Sequence, residues 1–166
     1  MAYPNNKKQY GGGRPGGTGQ WVPLKLPDGY EEDLRGGYFY QPEGAEKPVM
    51  KPKFILGYPK EIAQALEMEG GKKKNKSSQI RRYYDFCIRV RDLLSSGRSY
   101  EEMEATFCRL VPLVEYAKNR DLVTSLFVDF INRNIDAIYT VEDFTAFVMH
   151  FEAVVAHMKQ EQGRGT

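Results

Sequence analysis

The densest chemical potential in this sequence lies between Lys72 and Arg91. Lys72, Lys73, Lys74, Lys76, Arg81, Arg82, Arg89 and Arg91 stand there against one acid, Asp85, so twenty residues carry a charge of +7. The whole chain is only +2, because residues 1–71 are neutral and residues 92–161 hold six basic and twelve acidic side chains. The chemistry such a cluster offers is electrostatic: ammonium and guanidinium groups set on phosphate oxygens, which position a nucleic-acid strand without reading its bases. The cluster begins in the segment GGKKKNK and runs into a predicted helix N-terminus, where free N–H groups and the positive dipole end also favour phosphate. Ser77, Ser78 and Gln79 add hydrogen-bond donors. Arg82 and Arg89 are seven residues apart and share a helix face, with Ser78 and Asp85 near that line. Tyr83 offers a ring that can stack on a base. The competing reading of the same residues is a solvated lysine loop with arginines paired to acids elsewhere in the chain.

The residue types that do covalent or metal chemistry are not grouped. The glycine-rich start has no Gly-Lys-Ser/Thr ending and no preceding strand, so it is not a phosphate loop of the nucleotide-hydrolase kind. His150 and His157 fall on one helix face but two turns apart, too far for one metal, and read as solvated or core-edge side chains. Cys87 and Cys108 occupy apolar helix positions and read as buried thiols. Glu101, Glu102 and Glu104 sit in a helix first turn, where the dipole accounts for them. The sequence therefore predicts no enzyme, no metal and no cofactor. No run of about 18 uncharged apolar residues is present, so no membrane partner is expected. Two cysteines do not make a disulfide framework, and the first residues lack the apolar run of a secretory signal, so a cytoplasmic protein is expected.

These side chains need a scaffold, and composition locates it. Eight of the nine prolines and eleven of the sixteen glycines fall within residues 1–59, while residues 77–162 hold one of each, Pro112 and Gly97. The expected organisation is a flexible Gly/Pro-rich N-terminal arm over residues 1–57 and a helical bundle domain over residues 58–162. Residues 1–20 read as a disordered, glycine-rich arm. Residues 21–56 are richer in apolar side chains, including Trp21, Tyr38, Phe54 and Ile55, and read as an extended arm that docks either on its own domain or on a neighbouring subunit.

The fold class expected is all-α: a bundle of four long helices plus one short N-terminal helix. The short helix covers about 59–68 and stops at Gly70 and Gly71. The second covers 77–95, with Ile80, Tyr84, Cys87, Arg91 and Leu94 on one stripe, and Gly97 ends it. The third begins at Ser99, where Ser99 and Glu102 fit a capping box, and is expected to kink near Pro112. The fourth covers about 121–134. The fifth begins at Thr140, with Asp143 in capping position, and presents Phe144, Phe147, Val148, Phe151, Val154, Val155 and Met158 on an apolar face.

Three of these segments resemble a known family in order and spacing. KSSQIRRYYDFCIRV resembles the helix entry of the small subunit of type III-A CRISPR effectors, the Csm complex. RLVPLVEYAKNR, from Arg109 to Arg120, is similar to that family's proline-containing helix and its basic turn. DFTAFVMHFEAVVAHMK, from Asp143 to Lys159, is similar to its C-terminal helix, and YPKEIAQALE is compatible. The resemblance covers about residues 58–160. It implies a small helical subunit without catalysis of its own, present in several copies along the interior of the effector filament in antiviral defence. It also implies partners: guide RNA and target RNA through backbone contacts, other effector subunits, and other copies of itself. By matched position it points to Lys76, Ser78, Gln79, Arg81, Arg82, Lys118 and Arg120. Charge alone adds Lys72, Lys73, Lys74, Arg89 and Arg133. Two alternatives remain open at this point: a helical protein–protein adaptor, and a small general nucleic-acid-binding helical protein.

Overall fold

The computed structural model describes residues 24–159. Helices dominate it: α1 (Tyr30–Arg35), α2 (Tyr58–Gly70), α3 (Ser77–Ser95), α4 (Tyr100–Cys108), α5 (Leu110–Asn119), α6 (Ser125–Asp136) and α7 (Val141–His157). The exception is a small antiparallel hairpin, β1 (Phe39–Tyr40) with β2 (Val49–Met50), in which Phe39 pairs with Met50 and Tyr40 with Val49. The fold is all-α, as the helical periodicity predicts.

Local chemistry fixes most boundaries. Ser99 and Glu102 form the expected capping box at α4, with the Glu102 N–H on Ser99 Oγ at 3.2 Å and the Ser99 N–H on Glu102 Oε2 at 3.4 Å. Thr140 and Asp143 do the same for α7. Gly97, with φ of 105°, follows α3 in a conformation that a side chain would resist. The third predicted helix is broken rather than kinked. Its chain divides at Arg109 into α4 and α5, and Pro112 lies in the first turn of α5, where its missing N–H costs no intrahelical bond. The fourth helix starts at Ser125 rather than near Asp121. Asp121 is left-handed, with φ of 58°, and the Asp121 and Leu122 N–H groups close the end of α5 on Lys118 O and Ala117 O at 3.0 Å each.

Helix α7 forms the axis of the core and packs against α2 and α3, while α6 packs against α5, α1 and α2. Phe144, Phe147 and Phe151 of α7 interleave with Phe107, Phe127 and Phe130, with ring centroids 5.0–6.4 Å apart. Each such ring, buried, contributes about 2–3 kcal/mol of transfer free energy.

Residues 24–57 are the main departure from the expected extended, flexible arm. They fold onto α6 and α7, and Tyr30, Leu34, Tyr38 and Phe54 are buried in the common core. The docking partner of this part of the arm is its own domain. Proline breaks the runs between these rings, but each ring arrives singly and fills a site the helices leave. A polar chain then locks the segment. His150 Nδ1 lies 2.5 Å from Phe54 O, and its Nε2 lies 2.7 Å from Tyr30 Oη. Asn134 Nδ2 donates to that same Tyr30 oxygen at 2.8 Å, and Tyr38 Oη donates to Asn134 Oδ1 at 2.8 Å. The carbonyl requires a proton on His150 Nδ1, so Nε2 accepts from Tyr30 and the imidazole is neutral. Burial pushes its pKa down to about 4. His150 is thus a fully buried structural histidine and not a core-edge one, whereas His157 is exposed. The expected disorder of residues 1–20 lies outside the described residues.

Candidate nucleic-acid interface

The lysine-rich segment is held by the one side chain in it that carries no charge. Asn75 sits at φ of 52°, a left-handed conformation that asparagine tolerates better than most residues, and is buried. Its N–H donates to Leu122 O at 3.0 Å. Its Nδ2 donates to Leu66 O at 2.9 Å and to Thr124 Oγ1 at 2.7 Å, and its Oδ1 accepts from the Thr124 N–H at 2.9 Å. Thr124 Oγ1 in turn donates to Glu69 Oε2 at 2.8 Å. Gly70 permits this approach: a Cβ there would meet Asn75 Cβ at 2.9 Å. The loop after α2 and the turn before α6 are therefore tied side by side, although about 45 residues separate them in sequence.

That tie unites two basic segments. Lys72, Lys73 and Lys74 from the loop and Lys118 from the end of α5 line one cleft of about 640 Å³, together with Asp121 and Glu69. Lys74 reaches Asp121 at 2.9 Å and Lys118 reaches Glu115 at 3.8 Å. Both pairs are substantially solvated, so each is worth little and can exchange for a phosphate. Lys72, Lys73 and Lys76 are exposed and, among the described residues, make no ion pair. The same holds for Arg81, Arg82 and Arg89 on α3, despite Asp85 one turn away. Intramolecular pairing therefore does not account for the arginine ridge. Ser78, Arg82, Asp85 and Arg89 are all exposed along one line of α3, as the spacing predicts.

Other expected residues stand differently. Gln79 is half-buried and donates to Tyr83 Oη at 3.1 Å. Tyr83 is half-buried as well, its ring 5.5 Å from that of Phe127, so its face is committed to the core and not to a base. Arg89 lies over the Phe86 ring at 5.9 Å, and Arg120 over the exposed Tyr116 ring at 5.5 Å. Arg133 is brought to a different place: two turns along α6 from Ser125, where it pairs with Glu31 of α1 at 3.0 Å. Cys87 is buried, and burial pushes its thiol pKa far up. Cys108 is half-buried rather than buried, and its thiol is raised by desolvation and by Glu104. Neither is poised as a thiolate. Among the described residues no group of His, Cys, Asp and Glu side chains could hold a metal ion, and no helix is long and apolar enough to cross a membrane.

Asn75 and Thr124 were not foreseen from the sequence, and Gly70 is read there only as a helix stop. The available signal was the single asparagine between lysines just after two glycines, a spot where a left-handed residue is favoured.

A family model described as Csm2 Type III-A matches residues 51–164. The chain belongs to this family. Csm2 proteins are small, structural subunits of the multi-subunit type III-A CRISPR effector, the Csm complex. No curated protein and no solved structure matches the chain. The lysine loop, α3 and the α5–α6 turn all lie within the Csm2 match, whereas α1 and the hairpin precede it. Tyr30 and Tyr38 thus come from outside the matched region to complete hydrogen bonds of His150 and Asn134 inside it.

Proposed function

We propose that this Csm2 subunit acts without catalysis, lining the interior of a cytoplasmic type III-A effector filament and contacting the guide–target RNA backbone in antiviral defence. The contact face is the lysine loop (Lys72, Lys73, Lys74, Lys76), the start of α3 (Ser78, Gln79, Arg81, Arg82) and the basic turn (Lys118, Arg120), with Arg89 extending it along α3. The observation that carries this reading is the Asn75–Thr124 tie, which gathers two distant basic segments around one cleft. Separated, these segments offer scattered charge. Joined, they place several cations within reach of successive phosphates, which releases counterions and makes affinity fall with salt. No base-reading side chain is required, because sequence in such an effector is read by pairing between guide and target. Neighbouring effector subunits and further copies of this chain are its protein partners, and exposed apolar side chains such as Leu56, Met68 and Tyr139 provide surface for them.

The test is a charge reversal, Arg81→Glu with Arg82→Glu, in the full chain. Affinity for an RNA duplex is expected to fall at least tenfold and the salt dependence to flatten, while the helical circular dichroism is retained. Unchanged affinity in the double variant would replace the RNA face with the protein-adaptor reading.

A further inference from the structure

The lysine cleft contains an anion of its own. Asp121 lines it with a side chain 81% exposed, and its Oδ1 holds Lys74 Nζ at 2.9 Å. This pair is not a chance meeting of two surface side chains. Lys74 directly precedes Asn75, Asp121 directly precedes Leu122, and the Asn75 N–H donates to Leu122 O at 3.0 Å. The hydrogen bond that ties the loop to the turn therefore also brings these two charges together. Asp121 is fixed from its own side as well: at φ of 58°, its N–H closes α5 on Lys118 O at 3.0 Å. A left-handed position of this kind suits glycine or asparagine at least as well as aspartate. What aspartate adds there is charge, not conformation.

The other groups of the cleft are committed differently. The Glu69 carboxylate accepts from the Thr124 hydroxyl at 2.8 Å and so belongs to the tie. Lys118 reaches Glu115 on its own helix at 3.8 Å, and Lys72 and Lys73 are exposed. Lys72, Lys73, Lys74 and Lys118 against Asp121 and Glu69 leave the lining with a net charge of +2. A single anion entering this space gains Lys74 only by displacing Asp121, and it then lies beside the displaced carboxylate. An exposed pair of this kind resists displacement by roughly two- to fivefold in an equilibrium. A phosphate chain offsets that resistance through simultaneous contacts with Lys72, Lys73 and Lys118, each formed at high effective concentration once the first is made.

We propose that Asp121 is a specificity-determining residue of the cleft: it occupies Lys74 until a continuous phosphodiester strand replaces it, and so turns the cleft away from isolated anions. This rests on the reading of the cleft as an RNA face.

The experiment measures binding of the full chain to a short RNA duplex, with and without inorganic phosphate as competitor at fixed ionic strength. It compares wild type with Asp121→Asn, Asp129→Asn, Lys74→Ala, Asp121→Asn/Lys74→Ala and Lys72→Glu/Lys73→Glu. Asparagine suits the left-handed turn, and Asp129 is an exposed acid of the neighbouring groove whose substitution removes the same charge. Asp121→Asn is expected to tighten RNA binding about two- to fivefold and to make it sensitive to inorganic phosphate, which wild type resists. The gain is expected to vanish in the Lys74→Ala background, because the pair is then already broken. Equal gains in Asp121→Asn and Asp129→Asn overturn the proposal, since net charge alone would account for them. Unchanged or weaker binding by Asp121→Asn, with Lys72→Glu/Lys73→Glu still losing binding, overturns it while leaving the cleft reading intact. If the Lys72/Lys73 reversal is silent, the cleft reading fails and the proposal fails with it.

Discussion

The Asn75 side chain and Thr124 are joined by two reciprocal hydrogen bonds, Nδ2 to Oγ1 at 2.7 Å and backbone N–H to Oδ1 at 2.9 Å. Every polar group of the asparagine side chain is thereby used. Replacing it with alanine leaves the Thr124 N–H and Leu66 O without their partner in a buried place, at a cost of about 2–3 kcal/mol. Denaturant unfolding of Asn75→Ala is expected to show that loss. RNA affinity is expected to fall as well, although no charge is removed, because the lysine loop is freed from the basic turn.

Gly70→Ala tests the same junction from the other side. Alanine normally favours a helix, yet here its Cβ meets Asn75 Cβ at 2.9 Å and the Asn75 backbone nitrogen at 3.3 Å. Asn75 is held by its own bonds and gives way poorly. The expected outcome is a destabilisation of about 1–3 kcal/mol, read as a lower thermal midpoint. An unchanged or raised midpoint would show that the loop yields.

The neutral His150 makes folding sensitive to acid. Its folded pKa, about 4, lies below the ordinary 6.5. Between those values the unfolded chain binds a proton that the folded chain refuses, so stability falls as pH drops from about 6.5 to about 4 and levels below. The loss attributable to this group is about 3 kcal/mol across that window. Asp33, whose carboxyl is held below its usual range by Lys53 and Tyr58, adds acid sensitivity only below pH about 4. Unfolding free energies measured from pH 7 to 4 are expected to decline in wild type and to run flatter in His150→Gln, which starts less stable.

Tyr30→Phe removes the hydroxyl that bonds both His150 and Asn134 while keeping the ring among Phe54, Tyr58 and His150. Two buried polar atoms lose a partner, so a loss of about 2 kcal/mol is expected. Hydrogen exchange is expected to rise in α1 and the hairpin, reporting release of the segment from α6 and α7.

The basic residues should separate by salt dependence. Lys72→Ala with Lys73→Ala is expected to lower the salt slope of duplex RNA binding by roughly 2. Arg133→Ala is expected to leave the slope unchanged, because Arg133 faces Glu31 away from the lysine cleft. A slope that moves equally in both would spread the contact face across α6.

The sequence by itself determined the helices whose ends are written in local chemistry. Helix α3 runs from Ser77 to Ser95 because apolar spacing and Gly97 bound it, and the capping boxes at Ser99 and Thr140 start α4 and α7. It also determined the basic segment, because charge is a property of composition. Where hydrogen bonds come from distant residues, tertiary structure decided. The late start of α6 is held by Asn75, whose N–H donates to Leu122 O and whose Oδ1 accepts from the Thr124 N–H. Tyr30, Tyr38 and Phe54, isolated among prolines, become core only because Asn134 and His150, about 100 residues on, leave rings and polar atoms to be matched. The candidate site divides the same way. Its lysines and arginines are legible one by one, but that Lys72–Lys74 and Lys118 share a cleft follows from the closure of Asn75 on Thr124, a contact across 49 residues that no local pattern encodes.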